Sequence, residues 1–519
     1  MKVVKMNFKF CLSLLGGLIL LASCSKKAQS NTTGMNYNDP KHGGFQVIDK
    51  YQPKTPPGMV FIQGGKITIG QNLEILANKN DNQKRTVTAS SFYMDEYEIT
   101  NINWREYVSW LSVVYHNTPE VVDVARPDST VWRGELVFNE PYVRYYHSHA
   151  AYGHYPVVGV SWNQANDYCA WRTDRINEME LVNAGVIKMT DFEAIRKCSA
   201  KAIIEAELNA GNILSGAQRD SIRLAMQDSI NRTYVFSMQK YLLMKSYNPE
   251  LGRRPQLNAF GDTIKTTLSH GLVFPEVRLP TETEWEYAAY GMLPNEEGFL
   301  AENKAYPWAG QQMRNPSKKI RGEMQANYTR GRGDLIEHVE SLSDRGSITA
   351  PVYAFMPNDY GLYNMAGNVN EWVDDVYRET SAWEVEEYNA YRGNMILAPS
   401  KDSMDYTIDE YGRLAYDIEK DLRDFRDGDA KSSFDREDWK KRETDTLMWT
   451  RYKKKDPLFL LSTDVDNNSR VYKGGSWRDR AYWLNPATRR YLDASKSAND
   501  IGFRCAMTKI GESKPIERK

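Results

Sequence analysis

Frequent turns divide this chain of 519 residues into brief apolar runs. Glycine and asparagine mark many of the turns, as between Asn358 and Asn370, and few segments keep one periodicity for long. Both residue types suit turns, because glycine adopts positive φ without strain and the asparagine side chain bonds its own backbone. No solenoid repeat is visible. The pattern is typical of a compact α+β fold with low regular secondary structure.

One helix is predicted from Asn101 to about Val114. Apolar side chains recur on one face of it at spacings of four, three and four residues: Trp104, Val108, Leu111 and Tyr115. Thr100 stands directly before this run. Its hydroxyl can accept a hydrogen bond from an unpaired amide of the first turn, so Thr100 is the expected N-cap.

Two further helix starts have the pattern of a capping box. In this pattern a serine or threonine and a glutamate or glutamine three residues later bond each other's backbone amides. Ser161 stands three residues before Gln164, and Thr281 stands three residues before Glu284. Gly291 is expected to end the second of these helices, because glycine readily adopts the conformation that closes a helix.

A short hairpin is expected where the structured part of the chain begins. Residues 58–62 and 67–70 are apolar runs, and Gly64 and Gly65 separate them. Two such runs around glycines favour paired strands joined by a turn.

The N-terminus has the pattern of a secretory signal peptide. Three lysines precede the apolar run of residues 10–22, which at 13 residues is shorter than the span that a membrane-crossing helix needs. The run ends in a Leu-Ala-Ser-Cys motif that resembles the lipobox of bacterial lipoproteins. Residues 1–23 are therefore the expected signal peptide, and Cys24 is the expected lipidation site. Ser25 in place of an aspartate favours the outer membrane, with the protein facing the periplasm.

Charge gives no reason to expect a nucleic-acid partner. The formal net charge is -1, from 67 basic and 68 acidic residues. Removal of the signal peptide takes away three lysines and brings the charge to about -4. Residues 25–57 are polar, contain several glycines and prolines, and lack periodicity, so residues 24–57 are predicted to be a flexible tether.

Several blocks of sequence resemble, in order, the formylglycine-generating-enzyme (sulfatase-modifying factor) superfamily. They are residues 58–65, 92–101, 156–162, 278–289, 358–372, 474–477 and 502–505. The resemblance implies one domain over residues 58–507, with a fold related to C-type lectins and bound calcium in many members. Two segments differ from the blocks and are predicted to be insertions: residues 177–274 are helical in composition, and residues 378–468 are rich in charge and tyrosine. Residues 508–519 are predicted to be a polar tail.

Within this superfamily, one subgroup is the most similar. The lipobox, residues 33–45 and residues 171–178 resemble the J-type gliding-motility lipoproteins tied to type IX secretion, with the related K-type ring lipoproteins as the alternative. The resemblance implies a structural component at the periplasmic side of the outer membrane. Its partners would be the K-type and N-type ring proteins and the outer-membrane translocon.

The oxidase members of the superfamily bind copper through two cysteines that follow the Gly-Gly-Ser-aromatic block. Soft thiolates hold Cu(I), which allows oxygen chemistry. Alignment on Ser476 and Trp477 puts Asp479 and Leu484 at those two places, and neither can supply a thiolate. The resemblance therefore implies a pseudo-enzyme without catalytic residues. A divergent oxidase and a lectin-like binder of glycan or peptidoglycan remain as alternatives.

The family's calcium positions carry over in part. Asn327 and Asp344 match one site, and Asn368 and Glu371 match the other. Oxygen-rich turns suit this hard cation. The alternative is that these side chains cap turns.

Three cysteines remain in the mature chain after Cys24, so at most one intrachain disulfide can form. The resemblance implies that this bond joins Cys169 to Cys505 and leaves Cys198 free, since Cys198 falls in an insertion.

Two other groups of polar residues have the composition of possible sites. His147, His149 and His154 could bind a metal, but solvated loop histidines are the preferred interpretation. Four charged residues could support acid-base chemistry, but ion pairs that brace a short helix are preferred for them: Arg278, Glu282, Glu284 and Glu286.

Overall fold

The structure is a computed structural model of the full chain. It describes residues 29–47, 54–70, 82, 84–134, 137–209, 214–258, 261–291, 305–308, 310–330, 346, 348–378, 395–402, 405–408, 414–421 and 468–511. Five of the predictions above lie wholly or partly outside these ranges: the signal peptide with Cys24, part of the tether, Asp344, most of the second insertion, and most of the tail.

The described part of the chain contains short strands and mostly short helices. The strands are β1 (Met59–Ile62), β2 (Gly65–Ile69), β3 (Arg85–Ala89), β4 (Phe92–Asp95), β5 (Val277–Arg278), β6 (Asn370–Val376), β7 (Met395–Pro399), β8 (Tyr416–Asp421), β9 (Ser469–Lys473), β10 (Arg490–Asp493), β11 (Ile501–Gly502) and β12 (Ala506–Thr508). The α-helices are α1 (Asn101–Val114), α2 (Pro119–Ala125), α3 (Glu140–Tyr145), α4 (Trp162–Asn183), α5 (Phe192–Lys197), α6 (Ala200–Asn209), α7 (Gly216–Thr233), α8 (Met238–Leu243) and α9 (Glu282–Tyr290). This mixture agrees with the predicted α+β class. Within the described ranges, no helix has the length and hydropathy needed to cross a bilayer.

Two four-stranded sheets organise the family domain. One has the strand order β1-β4-β12-β5 and is antiparallel, and the other has the order β10-β9-β6-β11. In the second sheet β11 runs parallel to β6, with Ile501 opposite Asn370. The C-terminal strand β12 lies between β4 and β5, so the end of the domain is paired with its beginning.

The predicted hairpin between the first two apolar runs is wrong. β1 pairs with β4, with Met59 opposite Asp95, and β2 pairs with β3, with Gly65 opposite Ala89. The two runs therefore lie side by side in sequence within one continuous segment, and this segment pairs with β3 and β4. The chain bends at Gly64, where a Cβ would lie 2.3 Å from the carbonyl oxygen of Ala89. Glycine is required there because the backbones approach closely, and it does not reverse the chain.

The local helix signals are confirmed. Helix α1 covers the predicted residues, and the hydroxyl of Thr100 accepts a hydrogen bond from the amide of Asn103 at 3.3 Å. The capping boxes at Ser161 and Thr281 both form, before α4 and α9. Gly291 closes α9 with a φ of 69°.

The main core lies where α1 and α4 pack against the sheets. Trp104 stacks on Tyr168 with ring centroids 5.4 Å apart, and the edge of Phe503 meets both rings. These aromatic side chains are almost completely buried. Large aromatic side chains supply much of the burial energy of a core with short elements.

Residues 177–274, which are predicted to be the first insertion, contain several helices, as their composition predicts. Helix α4 continues from the family block across residue 177 to Asn183, and α5–α8 follow it. A separate apolar cluster holds this region together, formed by Leu181, Val186, Ile187, Phe236, Met238, Tyr241, Tyr247 and Val273.

Helix α9 is attached to the second sheet by buried ion pairs. Lys473 on β9 lies 3.0 Å from a carboxylate oxygen of Glu282 and 2.9 Å from one of Glu286, and its side chain is fully buried. Arg489 contacts Glu282 at 2.7 Å. Burial alone would raise the pKa of Glu282, but the charges of Arg489 and Lys473 lower it to about 2. Glu284 instead pairs with Arg278 at 2.7 Å. The predicted ion pairs therefore exist, although two of the carboxylates brace the sheet rather than the helix alone.

Replacement of Lys473 by methionine should lower the free energy of unfolding by about 3 to 5 kcal/mol. The change keeps the apolar stem but leaves Glu282 and Glu286 without one of their cations in a buried site. Urea unfolding measures the effect. Lys188→Met is the control, because its pair with Glu250 is exposed, with side-chain exposures of 65% and 77%. The control should change stability by about 0.5 kcal/mol or less. Equal effects of the two substitutions would show that the buried pairs do not stabilise the fold.

Asp375 should give the stability a distinct pH dependence. Its carboxylate accepts a hydrogen bond from the amide of Glu282 at 2.5 Å. Burial, with the charge of Glu282, raises the pKa of Asp375 from 3.8 to about 8. The folded chain therefore holds this proton more tightly than the unfolded chain. The stabilisation is complete below the unfolded pKa and is lost as the pH rises towards 8.

Asp375→Asn removes this titration and keeps an acceptor for the amide of Glu282. Between pH 5 and 8 the free energy of unfolding of the native chain should fall relative to that of the variant. Urea unfolding at several pH values measures the difference. A difference that stays constant over this range would contradict the raised pKa.

Candidate functional site

The segment after β9 carries Asp479 and Leu484, the two residues that alignment on Ser476 and Trp477 puts at the places of the copper-binding cysteines. Gly474 and Gly475 both have positive φ, of 99° and 71°. A Cβ at Gly475 would lie 2.9 Å from Leu484 Cδ1 and from the backbone of Trp483. The two glycines therefore let the loop fold tightly against the segment that carries Leu484.

Asp479 is held by a dense set of hydrogen bonds. Arg490 on β10 donates two bonds to its carboxylate, at 2.7 and 2.5 Å. Ser476 donates from its hydroxyl at 2.7 Å and from its amide at 2.9 Å. Burial would raise the pKa of Asp479, but the hydrogen bonds and charge of Arg490 lower it below its ordinary value. Asp479 is therefore an ionised partner of Arg490.

Neighbouring groups complete this network. The guanidinium of Arg490 also donates to the amide oxygen of Asn370 at 2.5 Å, and it lies 4.5 Å from the ring centroid of Trp483. Burial and the charge of Asp479 raise the pKa of the nearby Asp500. The polar side chain at residue 370 is thus explained by its bond to Arg490.

Leu484, the second position, lies in an apolar cluster. Its side chain is fully buried, and Met324, Ala326, Tyr328 and Ala366 belong to the same cluster. The site therefore contains an ion pair beside a packed aliphatic side chain. It offers no pair of soft ligands for copper.

Of the predicted calcium ligands, Asn327 and Asn368 lie close to each other. Asn327 and Asn368 are both buried, and the side-chain amide of Asn327 lies 3.4 Å from the side-chain oxygen of Asn368. The amide of Asn327 also donates to the carbonyl of Ile348 at 2.8 Å. A Cβ at Gly346 would lie 2.8 Å from the Asn327 side chain, so the loop that follows Asp344 passes beside it. Asp344 itself lies outside the described residues, so the first calcium site stays a prediction.

The second predicted pair does not fit calcium. Glu371 is fully buried, and Arg504 donates to both of its carboxylate oxygens at 2.6 Å. Trp285 donates to one of them at 2.7 Å. The oxygen of Asn368 accepts a hydrogen bond from the amide of Ala350 at 2.7 Å. A cation here would have to displace the Arg504 guanidinium from Glu371, so these two side chains do not form one calcium site.

Glu98 is a buried carboxyl group that the sequence interpretation missed. It accepts hydrogen bonds from the side-chain amides of Asn364 at 2.8 Å and Asn368 at 3.0 Å. Burial, with the charge of Glu371, raises the pKa of Glu98 to about 8. The only available signal was its place in a family block, because an acidic residue beside an apolar run does not by itself indicate burial.

The two cysteines predicted to form a disulfide are neighbours. Cys169 on α4 and Cys505 before β12 are both buried thiols, with sulfur atoms 3.4 Å apart. The bond between them stays a prediction. Cys198 is also a thiol, and it is partly exposed.

The histidines divide into two environments. His149 and His154 are exposed, as the interpretation of loop histidines requires. His147 differs, because its Nε2 is buried without a hydrogen bond and burial lowers its pKa to about 4. Among the residues that the structure describes, no group of three or more histidine, cysteine, aspartate or glutamate side chains is arranged to hold a metal.

Curated relatives match one part of the chain. The formylglycine-generating enzyme of Mus musculus is 41% identical over 98 residues, which cover 19% of this chain and 22% of the relative. The enzyme of Thermomonospora curvata is 39% identical over 115 residues, which cover 22% and 32%. The inactive C-alpha-formylglycine-generating enzyme 2 of Bos taurus is 37% identical over 102 residues, which cover 20% and 27%. The chain thus spans less than a third of the length of each of these relatives.

Solved structures match at low identity. Variable protein 1 of Treponema denticola is 18% identical with a TM-score of 0.36, and the match covers 88% of this chain and 99% of that protein. PvdO from Pseudomonas aeruginosa is 14% identical with a TM-score of 0.38, over 89% and 100%.

The family model of the sulfatase-modifying factor enzyme 1-like domain, FGE-sulfatase, matches residues 44–426. This range covers well over half of the chain and includes the first five family blocks. The chain therefore belongs to the FGE-sulfatase family and has its fold.

Proposed function

We propose that this chain is a non-catalytic member of the FGE-sulfatase family that serves as a structural lipoprotein of the type IX secretion and gliding-motility machinery. The observation that carries the proposal is the pairing of Asp479 with Arg490, beside the buried Leu484. Asp479 and Leu484 are the residues that alignment puts where the oxidase members would have their copper-binding cysteines.

The chemistry of this site supports a pseudo-enzyme. Cu(I) prefers thiolates, whereas a carboxylate is a hard ligand and leucine has no donor atom. The carboxylate of Asp479 is also neutralised by the guanidinium that it binds. A relative named as inactive shows that the family includes members that have lost the reaction.

The insertions are the proposed partner surface. In their described parts they contact each other: Asp405 of the second accepts bonds from Ser246 of the first, at 3.1 Å to the amide and 2.7 Å to the hydroxyl. Tyr416 donates to Gln239 at 2.5 Å. Long segments added to a complete fold usually carry a function. The proposed partners are the K-type and N-type ring proteins and the translocon, with the chain in the J-type role.

The second insertion connects β6 to β9, and we expect that its removal leaves the pairing of these two strands intact. The amide of Tyr377 donates to the carbonyl of Ser469 at 2.8 Å, so the two ends of the insertion are adjacent. Arg378 belongs to the core, because its carbonyl accepts a bond from Arg489 at 2.7 Å. A short glycine linker in place of residues 379–467 should therefore leave a folded core.

The deletion variant should remain membrane-anchored and lose its ring partners, and secretion should fail. Crosslinked pull-down from native outer membranes, with a secretion assay, measures both. The Arg126→Met variant, changed at an exposed ion pair outside both insertions, is the matched control and should keep the partners. Undiminished recovery of ring proteins by the deletion variant would reject the proposed partner surface.

The purified native chain should not convert a sulfatase-type cysteine peptide to formylglycine, with or without added copper. Mass spectrometry of the peptide detects the product. Conversion by the native chain would overturn the pseudo-enzyme proposal, and an active family enzyme run in parallel shows that the assay works.

Cys24→Ala should release the protein from membranes, because Cys24 is the proposed site of the lipid. Fractionation and labelling with a fatty acid measure the anchor. The matched control is Cys198→Ala, which should stay in the outer-membrane fraction and take up label. Unchanged fractionation of the Cys24 variant, with no label on the native chain, would exclude the lipoprotein.

Calcium is proposed to bind at Asn327 with Asp344 and to contribute stability rather than chemistry. The close approach of the loop at Gly346 to Asn327 supports this site. Excess chelator should lower the melting temperature of the native chain, and the Asn327→Ala variant should respond less. The metal content of the purified protein is measured in parallel. A melting temperature that is insensitive to chelation, in protein without calcium, would reject the site.

A further inference from the structure

A cavity of about 330 Å³ lies between the end of the first insertion and the C-terminal strand. The loop of residues 268–275 forms one wall, and residues 507–510 form the other. Its size falls at the lower end of the range for small-molecule sites. The insertion contributes much of the wall, so the cavity is a feature of this chain's additions to the family domain.

The walls of the cavity are largely apolar. Side chains that line it include Leu268, Leu272, Val273, Phe274, Met507 and Ile510. Leu268 and Ile510 are also exposed at the surface, by 40% and 50%. An apolar group that entered here would bury these side chains and gain hydrophobic free energy.

One charged group in the wall has no hydrogen bond. The Nζ atom of Lys509 is buried and makes no hydrogen bond. It lies 4.6 Å from the ring centroid of Phe61, which is a cation–π contact. A buried cation without an anion is unfavourable unless a partner arrives. Lys54, the other cation in the lining, already pairs with Glu180. Among the described residues that line this cavity there is no aspartate or glutamate.

We propose that this cavity binds the carboxylate of an aliphatic acid, with the head group at Lys509 and the acyl chain along the apolar walls. The charge of Lys509 matches a single anion, and the walls match a hydrocarbon chain. The inference does not depend on the secretion role, because it uses neither the lipid anchor nor the partner surface.

An acyl chain fits this cavity better than a peptide does. A peptide brings backbone amides and carbonyls that need hydrogen-bond partners when they are buried. Two hydroxyls in the lining already have partners: Thr508 accepts a bond from Arg278 at 3.1 Å, and the Ser269 hydroxyl is 2.6 Å from that of Thr267. A hydrocarbon chain requires no such partners.

Titration of the full-length chain with octanoate, 1-octanol and octylamine tests the proposal. These probes share one chain and differ in charge, so their dissociation constants isolate the contribution of Lys509. Octanoate should bind about tenfold more tightly than octanol, as expected for a charge-assisted hydrogen bond, and octylamine should bind most weakly. The tripeptide Gly-Gly-Leu, which carries a carboxylate beside an apolar side chain, should bind more weakly than octanoate.

Lys509→Met should lose the preference for octanoate and keep the weak binding of octanol, without a fall in melting temperature. Lys188→Met, a substitution at an exposed lysine that is not among the lining residues, should bind octanoate like the native chain. The proposal is overturned if octanol binds the native chain as tightly as octanoate, if Lys509→Met binds octanoate unchanged, or if the peptide binds more tightly. Should Lys509→Met fail to fold, the comparison of the probes on the native chain still decides.

Discussion

The buried pair of Arg504 and Glu371 is the interaction on which the arrangement of the domain depends. Arg504 is fully buried, and it donates to both oxygens of Glu371 and to the carbonyls of Asp95 and Tyr363. One side chain thus connects β6, the end of β4, the loop before β6 and the C-terminal segment. Such a cation is tolerated only where it is fully compensated, because an unpaired buried charge costs several kcal/mol. The position of each of these segments is therefore tied to the others.

The requirement that a buried charge be compensated also explains the surroundings of Asp479. Asp479, which the family resemblance places where a thiolate would hold copper, is accommodated because Arg490 and Ser476 complete its hydrogen bonds. Asn370 in turn accepts a bond from Arg490. These changes form one connected network, so we expect that replacing Asp479 by cysteine alone would leave Arg490 uncompensated rather than restore a metal site.

Local sequence patterns predicted the local structure well. The helix starts at Thr100, Ser161 and Thr281 form as expected, because a capping box involves residues only three apart. The hairpin at Gly64 failed for the opposite reason. Whether two apolar runs pair with each other or with a distant segment depends on contacts far along the chain, which periodicity does not record.

The sequence by itself determined the family, the helix caps, the absence of thiols at residues 479 and 484, and the closeness of Cys169 to Cys505 through the family resemblance. Only the tertiary structure decided that Glu371 pairs with Arg504 rather than with a metal ion, that Glu98 is buried beside two asparagines, and that Lys509 lines a cavity with its Nζ buried and without a hydrogen bond. The physical reason is that the ionisation and the role of a polar side chain depend on its burial and on its partners. Both arise from segments that are distant in sequence and meet only when the chain has folded.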